Sequence, residues 1–202
     1  MNLTLKDVQA RQASYDKKYW QFVPGLPTTA HSGRRISKLA GIIATVAEAI
    51  DLKEPPDFLK LDLVAIPELL IFAARLANDR ELDLGTAYIK STLGSRLASS
   101  SMEIDLKIKD VQNSQAAYEP EYLSTNPGAQ TIAYCERQVS ILAGKIAVVG
   151  EVYDRGLKPD LRQLDSVVIP DLLVMSARLA NAREANLSEL YLRRSFELQL
   201  SC

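Results

Sequence analysis

The sequence predicts an all-α protein that contains one helical unit twice. Apolar residues recur at intervals of three and four over long segments, and no segment alternates apolar and polar residues as a half-buried strand does. When the chain is shifted by 103 residues it matches itself without a gap, with 42 identities among the 97 pairs that join residues 3–99 to residues 106–202. Because the period is too long and the copies too few for a solenoid, we expect a fused dimer with a pseudo-twofold axis.

The repeat divides the chain into two units, each with about four predicted helices. The first half covers residues 1–98, the second half covers residues 106–202, and residues 99–105 are predicted to link them. The serine-rich run Ser95–Ser101 is typical of such a linker.

The first predicted helix of the first half runs from about Thr4 to Tyr19. Thr4 is followed three residues later by Asp7, which is a loose form of the capping box. The next residues, 20–27, contain Trp20 and two prolines and cannot continue a helix.

The second predicted helix covers about residues 34–50 and has a clear apolar stripe. The stripe consists of Ile36, Leu39, Ile43, Val46, Ala47 and Ile50. Ala40, Gly41 and Ala44 are small, so we expect another helix to approach closely there. The prolines at 55 and 56 end this element.

The third predicted helix is the element around which the others are expected to pack. It begins near Asp62 or Ile66, ends near Asn78, and is apolar on nearly all sides. Pro67 is tolerated only in its first turn or with a kink. A fourth helix is expected to start after Asp83, which can cap it. The counterpart of this cap in the second half is Asn186.

Composition excludes some classes of function. The 202 residues carry a formal net charge of −1, so the chain lacks the basic excess needed for an extended nucleic-acid interface. No apolar run approaches the ~20 residues that span a bilayer, and the first residues lack the apolar core of a signal peptide. Cys135 and Cys202 do not occupy corresponding places in the repeat, which favours a reducing compartment. We therefore expect a cytoplasmic protein without a membrane partner.

Catalytic patterns are sparse. His31 is the only histidine, falls in a predicted loop, and has Tyr134 as its counterpart, which argues against histidine catalysis in both halves and against a histidine metal site. The sequence contains no glycine-rich phosphate loop and no nucleophile elbow. The remaining candidate residues are acidic. The paired carboxylates are Asp62, Glu48 and Glu68, with Asp165, Glu151 and Asp171 as counterparts.

Paired carboxylates on facing helices could hold Mg²⁺, which prefers several oxygen ligands. The alternatives are a helix cap for Asp62 and a solvated or arginine-paired carboxylate for Glu68. Arg75 and Arg178 lie in apolar helices, where each could pair with an acid or clamp a phosphate. The candidate ligand-binding residues are Glu48, Glu68, Arg75, Asn78, Lys90, Glu151, Asp171, Arg178, Asn181 and Arg193, with Glu68 and Asp171 as the metal candidates.

Several stretches of each half follow one family pattern. In the first half they are Asp7-Val8-Gln9 with Trp20, Lys38-Leu39-Ala40-Gly41-Ile42, Ala65-Ile66-Pro67-Glu68, Ala74-Arg75-Leu76-Ala77-Asn78, and Leu82-Asp83-Leu84-Gly85-Thr86-Ala87-Tyr88. In the order of these stretches and in their residue types, each half resembles the MazG-like all-α nucleoside triphosphate pyrophosphohydrolases. The resemblance implies a four-helix unit in which glutamates hold the Mg²⁺ that activates water for cleavage between the α- and β-phosphates. It also implies that Asn78 and Asn181 contact the base or ribose.

The departures from that pattern concern the metal ligands. Where the family's first motif has two or more glutamates, the first half has Lys38, Leu39 and Ile42, and the second half has Ile141, Leu142 and Lys145. The first glutamate of the second motif becomes Ala65 and Val168. Of these acids only the last survives, as Glu68 and Asp171. One carboxylate per half is too few to hold a divalent ion tightly.

We therefore expect a MazG-like protein that has lost Mg²⁺-dependent pyrophosphohydrolase activity and serves as a nucleotide-, ligand- or protein-binding module. The alternative is an active nucleoside triphosphate pyrophosphohydrolase whose Mg²⁺ site has shifted to Glu48, Asp62, Glu68 and their counterparts. A third possibility is a purely structural helical module. Fusion of the halves is compatible with a monomer that is a pseudo-dimer and with a homodimer.

Overall fold

Eight helices form the protein in the computed structural model, which describes residues 3–19, 28–93, 105–122 and 127–200. They are α1 (Leu5–Tyr19), α2 (Thr28–Asp51), α3 (Ile66–Asp79), α4 (Leu84–Leu93), α5 (Ile108–Tyr122), α6 (Pro127–Asp154), α7 (Ile169–Ala182) and α8 (Leu187–Leu200). Over those ranges the one β feature is an isolated antiparallel bridge between Thr4 and Lys107. The all-α class is thus confirmed. Trp20 and most of the predicted linker lie outside the described residues.

The central helices α3 and α7 pack against each other. Every residue of α3 from Ile66 to Ala77 is buried, as its nearly uniform apolar character predicted. The hydroxyl of Ser176 on α7 donates a hydrogen bond of 2.6 Å to the carbonyl of Ile66, which satisfies the one polar side chain of α7 that is buried. Truncating a buried leucine here, such as Leu69, would cost about 2–5 kcal/mol of stability.

A π-helical turn precedes each central helix, at Leu61–Ala65 and at Leu164–Val168. Pro67 follows in the first turn of α3, and Pro170 follows in the first turn of α7. Because a proline has no N–H to donate to the carbonyl four residues earlier, the hydrogen-bond register shifts by one residue just before it. The third helix was predicted to begin near Asp62 or Ile66. The π-helical turn begins at Leu61 and the α-helical hydrogen-bond pattern begins at Ile66, so the helix changes close to both predicted positions.

The long helices α2 and α6 pack side by side and antiparallel. A Cβ on Gly33 would lie 3.0 Å from Cγ2 of Ile146, and a Cβ on Gly150 would lie 3.1 Å from Cβ of Ala30. These two glycines therefore set how closely the helices approach. The close approach predicted at Gly41 is wrong, because a Cβ there would have no neighbour within 4 Å. Gly41 lies on the outer side of α2, away from α6.

The start of α2 also differs from the expectation. The helix begins at Thr28 instead of Arg34, and Thr29, Ala30 and Ser32 in the added turn are buried. Tertiary packing against α6 stabilises this turn, which has no apolar periodicity of its own. The end of α2 at Asp51 lies just before the prolines that predicted it.

The predicted helix caps are present. The backbone N–H of Thr4 donates to Asp7 Oδ2 at 3.0 Å, and the N–H of Asp7 donates to Thr4 Oγ1 at 3.1 Å. Asp83 Oδ1 accepts from the N–H of Thr86 at 2.7 Å, and Asn186 caps the last helix in the same way. Each cap satisfies a donor that the first helical turn would otherwise leave unpaired.

Reciprocal contacts join the two halves. The N–H of Leu5 donates to the carbonyl of Leu106 at 2.9 Å, and the N–H of Ile108 donates to the carbonyl of Leu3 at 3.1 Å. At the ends of the central helices, Arg80 forms a bidentate ion pair with Asp165 at 2.8 and 3.0 Å. Arg183 forms the corresponding pair with Asp62 at 3.0 and 3.2 Å. No helix in the described ranges is both long enough and apolar enough to cross a membrane.

Candidate functional site

A cleft of about 280 Å³ opens in the first half between α1, α2, α3 and α8. Its lining includes Tyr15 of α1, His31 and Arg35 of α2, Glu68, Phe72 and Arg75 of α3, and Leu198 of α8. The cleft therefore combines residues of the first half with the last helix of the second half. Two of the candidate residues named from the sequence, Glu68 and Arg75, meet in it.

Glu68 is bound by two arginines. Its carboxylate is almost fully buried, with 3% of the side chain exposed. Arg35 donates to Oε2 at 3.3 Å, and Arg194 of α8 donates to Oε1 through both Nε, at 3.1 Å, and Nη2. Arg194 also reaches Glu197, 3.4 Å away. Because both carboxylate oxygens of Glu68 accept from guanidinium groups, a divalent cation would have to displace cations to reach them.

Arg75 pairs with an acid that sequence reasoning did not single out. Its guanidinium donates to both oxygens of Asp16 on α1, at distances between 2.7 and 3.1 Å. Gln12 donates to the same carboxylate at 2.7 Å. The guanidinium carbon also lies 5.1 Å from the centroid of the Phe72 ring, within cation–π range. A buried arginine is thereby neutralised while its side chain forms one wall of the cleft.

His31 lies in α2, so its predicted placement in a loop is wrong. Burial lowers the pKa of His31, and the positive charges of Arg75, Arg35, Arg34 and Lys38 lower it further. An imidazole surrounded by cations resists protonation. The four neighbouring cations place positive charge at this side of the cleft.

The corresponding place in the second half differs in chemistry. Asp171 is half-buried, and burial raises its pKa while Lys145 and Arg178 act in the opposite direction. Arg178 donates to Gln115 Oε1 at 3.1 Å and lies 5.3 Å from the centroid of the Tyr134 ring. The acids at these corresponding positions are therefore not equivalent: Glu68 accepts hydrogen bonds from two arginines, whereas burial raises the pKa of Asp171.

Two substitutions account for much of this difference. His31 and Arg35 of the first half are replaced by Tyr134 and Gln138 in the second. Both pairs occupy consecutive turns of the same helix face, four residues apart. The His31–Arg35 pair beside the acid is thus replaced by uncharged Tyr134 and Gln138 in the second half.

Asn78 and Asn181 lie in amide clasps between helices. Gln9 of α1 donates to Asn78 Oδ1 at 3.0 Å, and Asn78 donates to the carbonyl of Gln9 at 2.9 Å. Gln9 Oε1 accepts from the first N–H of α4, on Leu84, at 2.9 Å. Gln112 makes the same contacts in the second half. The asparagine side chains hold α1 to α3 and α5 to α7, and they do not line the cleft.

The remaining candidates are exposed on the outside of the molecule. Glu151 forms an ion pair with Arg155 one turn later, and Arg193 lies 3.4 Å from Glu197. Glu48 and Lys90 are also exposed, and none of these residues lines the cleft.

The residues near Glu68 and Asp171 do not fit the Mg²⁺ that the family resemblance implies. In the part of the chain that the structure describes, no three His, Cys, Asp or Glu side chains lie close enough together to hold a metal ion. The guanidinium groups on Glu68 and the raised pKa of Asp171 both oppose a dication. Comparison of the chain with protein-family models, with curated proteins and with solved structures gave no match.

Sequence reasoning missed Tyr15 and Arg35, which line the cleft, and Asp16 and Arg194, which form ion pairs with cleft residues. Arg35 follows His31 by one helical turn, and this spacing would have paired them if the start of α2 had been placed correctly. Asp16 and Arg194 lie 59 and 126 residues from their partners, and no local pattern links them.

Proposed function

We propose that this protein is a MazG-like fused dimer that has lost Mg²⁺-dependent nucleoside triphosphate pyrophosphohydrolase activity and binds an anionic ligand in the first-half cleft. The ligand is a nucleotide or another phosphate-bearing molecule with a planar ring. The proposal combines the family resemblance of the sequence with the chemistry of the cleft residues.

The contacts between halves support the fused-dimer part of the proposal. The ion pair of Arg80 with Asp165 and that of Arg183 with Asp62 are the same contact made in both directions at the 103-residue shift. The paired backbone hydrogen bonds near Thr4 and Lys107 are reciprocal in the same sense. Reciprocity of this kind is what a twofold interface between two copies would leave after fusion.

The arginine pair on Glu68 is the observation that carries the functional proposal. Three guanidinium groups, those of Arg35, Arg75 and Arg194, face three carboxylates here, those of Glu68, Asp16 and Glu197. Arg34 and Lys38, which also act on His31, bring the positive charges into excess. The excess of positive charge attracts an anion and repels a divalent cation. Glu68, which corresponds to the last acid of the family motif, therefore lies in a cluster of ion pairs.

Arg35 is suited to contact the ligand. Its side chain is 40% exposed, and a single hydrogen bond of 3.3 Å to Glu68 leaves most of its five N–H donors for other partners. A planar guanidinium binds phosphate through two parallel hydrogen bonds. Phe72 and Tyr15 offer apolar ring surface in the same cleft. This combination favours a ligand that carries both a phosphate and a ring.

Calorimetric titration tests the proposal. A non-hydrolysable nucleoside triphosphate analogue is expected to bind without metal, and Arg35→Ala is expected to weaken binding about tenfold, equivalent to about 1.4 kcal/mol. The matched control is Gln138→Ala at the corresponding position of the second half, which is expected to leave the affinity unchanged. Binding that requires Mg²⁺, or equal effects of the two variants, contradicts the proposal.

The family activity is tested separately, by pyrophosphate release from a set of nucleoside triphosphates with Mg²⁺ or Mn²⁺. No release above background is expected. Robust release that disappears in Glu68→Gln would support the alternative, an active pyrophosphohydrolase with a shifted metal site. Absence of both binding and hydrolysis would favour a structural helical module.

A further inference from the structure

The outer face of α6 exposes aliphatic side chains in one row. Ile141 is 51% exposed and Val148, two turns later on the same side, is 61% exposed. Gly144 and Ala147 lie between them and are exposed as well. Single apolar residues on a surface are ordinary, but a row along one helix is the arrangement that a partner helix covers.

Gly144 makes no close helix contact with the part of the chain that the structure describes. A glycine inside a helix weakens it relative to alanine, so it persists where something approaches its Cα closely. A Cβ on Gly144 would meet no atom within 4 Å, in contrast to Gly33 and Gly150, which face the α2–α6 contact. Gly144 therefore leaves the helix backbone open to close approach by a partner on the face that carries Ile141 and Val148.

The charges on this face are placed so that two antiparallel copies of α6 would be complementary to each other. Arg137 lies seven residues before Gly144, and Glu151 lies seven residues after it, so each stands about 10.5 Å from the glycine along the helix axis. When two copies of α6 pack antiparallel with their glycines together, each Arg137 faces the other copy's Glu151. Glu151 is already paired with Arg155 on its own helix, but both side chains are more than half exposed and can accommodate a second arginine.

The corresponding face of α2 has the same central glycine and opposed charges, in Gly41, Arg34 and Glu48, but lacks the aliphatic row. Lys38 and Thr45 take the places of Ile141 and Val148 around Gly41. A charged residue beside the glycine would be desolvated by a close partner helix without a matching acid. The apolar row is thus confined to α6, and α2 provides an internal comparison.

We propose that a second copy of this chain packs antiparallel on the outer face of α6, forming a twofold-symmetric homodimer around Gly144. An isologous contact needs a face that is complementary to itself. The α6 face meets this requirement through its central glycine, its aliphatic row and its opposed terminal charges. This interface does not depend on what the cleft binds.

Sedimentation equilibrium and light scattering on the full chain test the proposal. The protein is expected to have twice its chain mass of 22.3 kDa at micromolar concentration. The double variant Ile141→Lys with Val148→Thr, which gives α6 the residues of α2, is expected to be monomeric, with at least a tenfold weaker self-association. Gly41→Glu on α2 is the matched control and is expected to leave the dimer intact.

Charge reversal provides a second test that does not rely on the apolar row. Arg137→Glu is expected to weaken the dimer, and adding Glu151→Arg is expected to restore it, because the two positions face each other across the twofold axis. Circular dichroism and thermal unfolding of each variant show that the fold is kept. A wild-type protein that is monomeric up to about millimolar concentration overturns the proposal. So does a dimer that the double variant does not weaken, or one that Gly41→Glu dissociates.

Discussion

Glu68 and Asp171 occupy corresponding positions at the 103-residue shift and differ in their hydrogen-bond partners and in the effect of burial. Arg35 and Arg194 stabilise the charge of Glu68, whereas burial raises the pKa of Asp171. The sequence showed that these two acids occupy corresponding positions at the 103-residue shift. It could not show their partners, because Arg194 comes from a helix 126 residues away and its contact depends on the packing of α8.

Glu68→Gln is expected to destabilise the protein by about 1–3 kcal/mol at pH 7, because it removes the charge that both arginines share. The loss stays moderate since Arg35 is 40% exposed and can be solvated. Urea unfolding monitored by circular dichroism measures it. An unchanged midpoint would show that the arginines do not depend on this carboxylate.

Asp171→Asn is expected to have the opposite effect. The pKa of Asp171 in the folded protein is raised above its ordinary value of 3.8, so the native state holds this proton more tightly than the unfolded state does. Wild-type stability therefore falls as the pH rises through 3.8 toward the raised pKa. The variant is expected to be more stable than wild type at pH 7, and the difference is expected to vanish below pH 3.8. Greater stability of the wild type at pH 7 would contradict this assignment.

Among the elements, the central helices were the most predictable and the long outer helices the least. The apolar character of residues 66–78 was sufficient to predict burial, and Pro67 was sufficient to place the first turn. Whether a glycine marks a close helix–helix contact, in contrast, depends on whether its side of the helix faces a neighbouring helix. Gly33 and Gly150 face one another's helices, whereas Gly41 does not, and no local pattern distinguishes them.

The amide clasps predict equal effects in the two halves. Gln9 makes hydrogen bonds to Asn78 and to the backbone at both ends of the turn before α4, and Gln112 makes the same set. Gln9→Ala and Gln112→Ala are each expected to cost about 2–4 kcal/mol, because several part-buried groups lose their partners at once. Thermal unfolding of both variants checks this. A loss in only one half would mean that the clasps are not equivalent.

At the scale of the whole molecule, the internal match at a shift of 103 residues was visible from the sequence and the contacts between halves were not. Asp62 and Asp165 were considered as metal ligands or caps, and each forms an ion pair with an arginine of the other half. Such pairs depend on how the central helices cross. The exposed ends of α2 and α6 similarly carry Glu48 and Glu151 away from the cleft.

The two ion pairs between halves are expected to differ in strength. Arg183 also lies 3.6 Å from the centroid of the Phe58 ring, and Leu161 takes the place of that ring on the other side. Arg183→Ala is therefore expected to destabilise the protein by about 0.5–1 kcal/mol more than Arg80→Ala does. Arg162→Ala, which removes a highly exposed ion pair, is the control and is expected to change stability by less than about 0.5 kcal/mol. Equal losses of stability for Arg183→Ala and Arg80→Ala would show that the Phe58 ring does not contribute.

The most direct test of a cationic, metal-independent ligand cleft is the NMR titration of His31, the only histidine of the chain. Burial and four neighbouring cations keep its pKa below 6.5. An anion bound beside it stabilises the imidazolium, so inorganic pyrophosphate is expected to raise this pKa without Mg²⁺, and Arg35→Ala is expected to remove most of the rise. A pKa that does not move at saturating pyrophosphate, or that moves only when Mg²⁺ is present, would contradict the account.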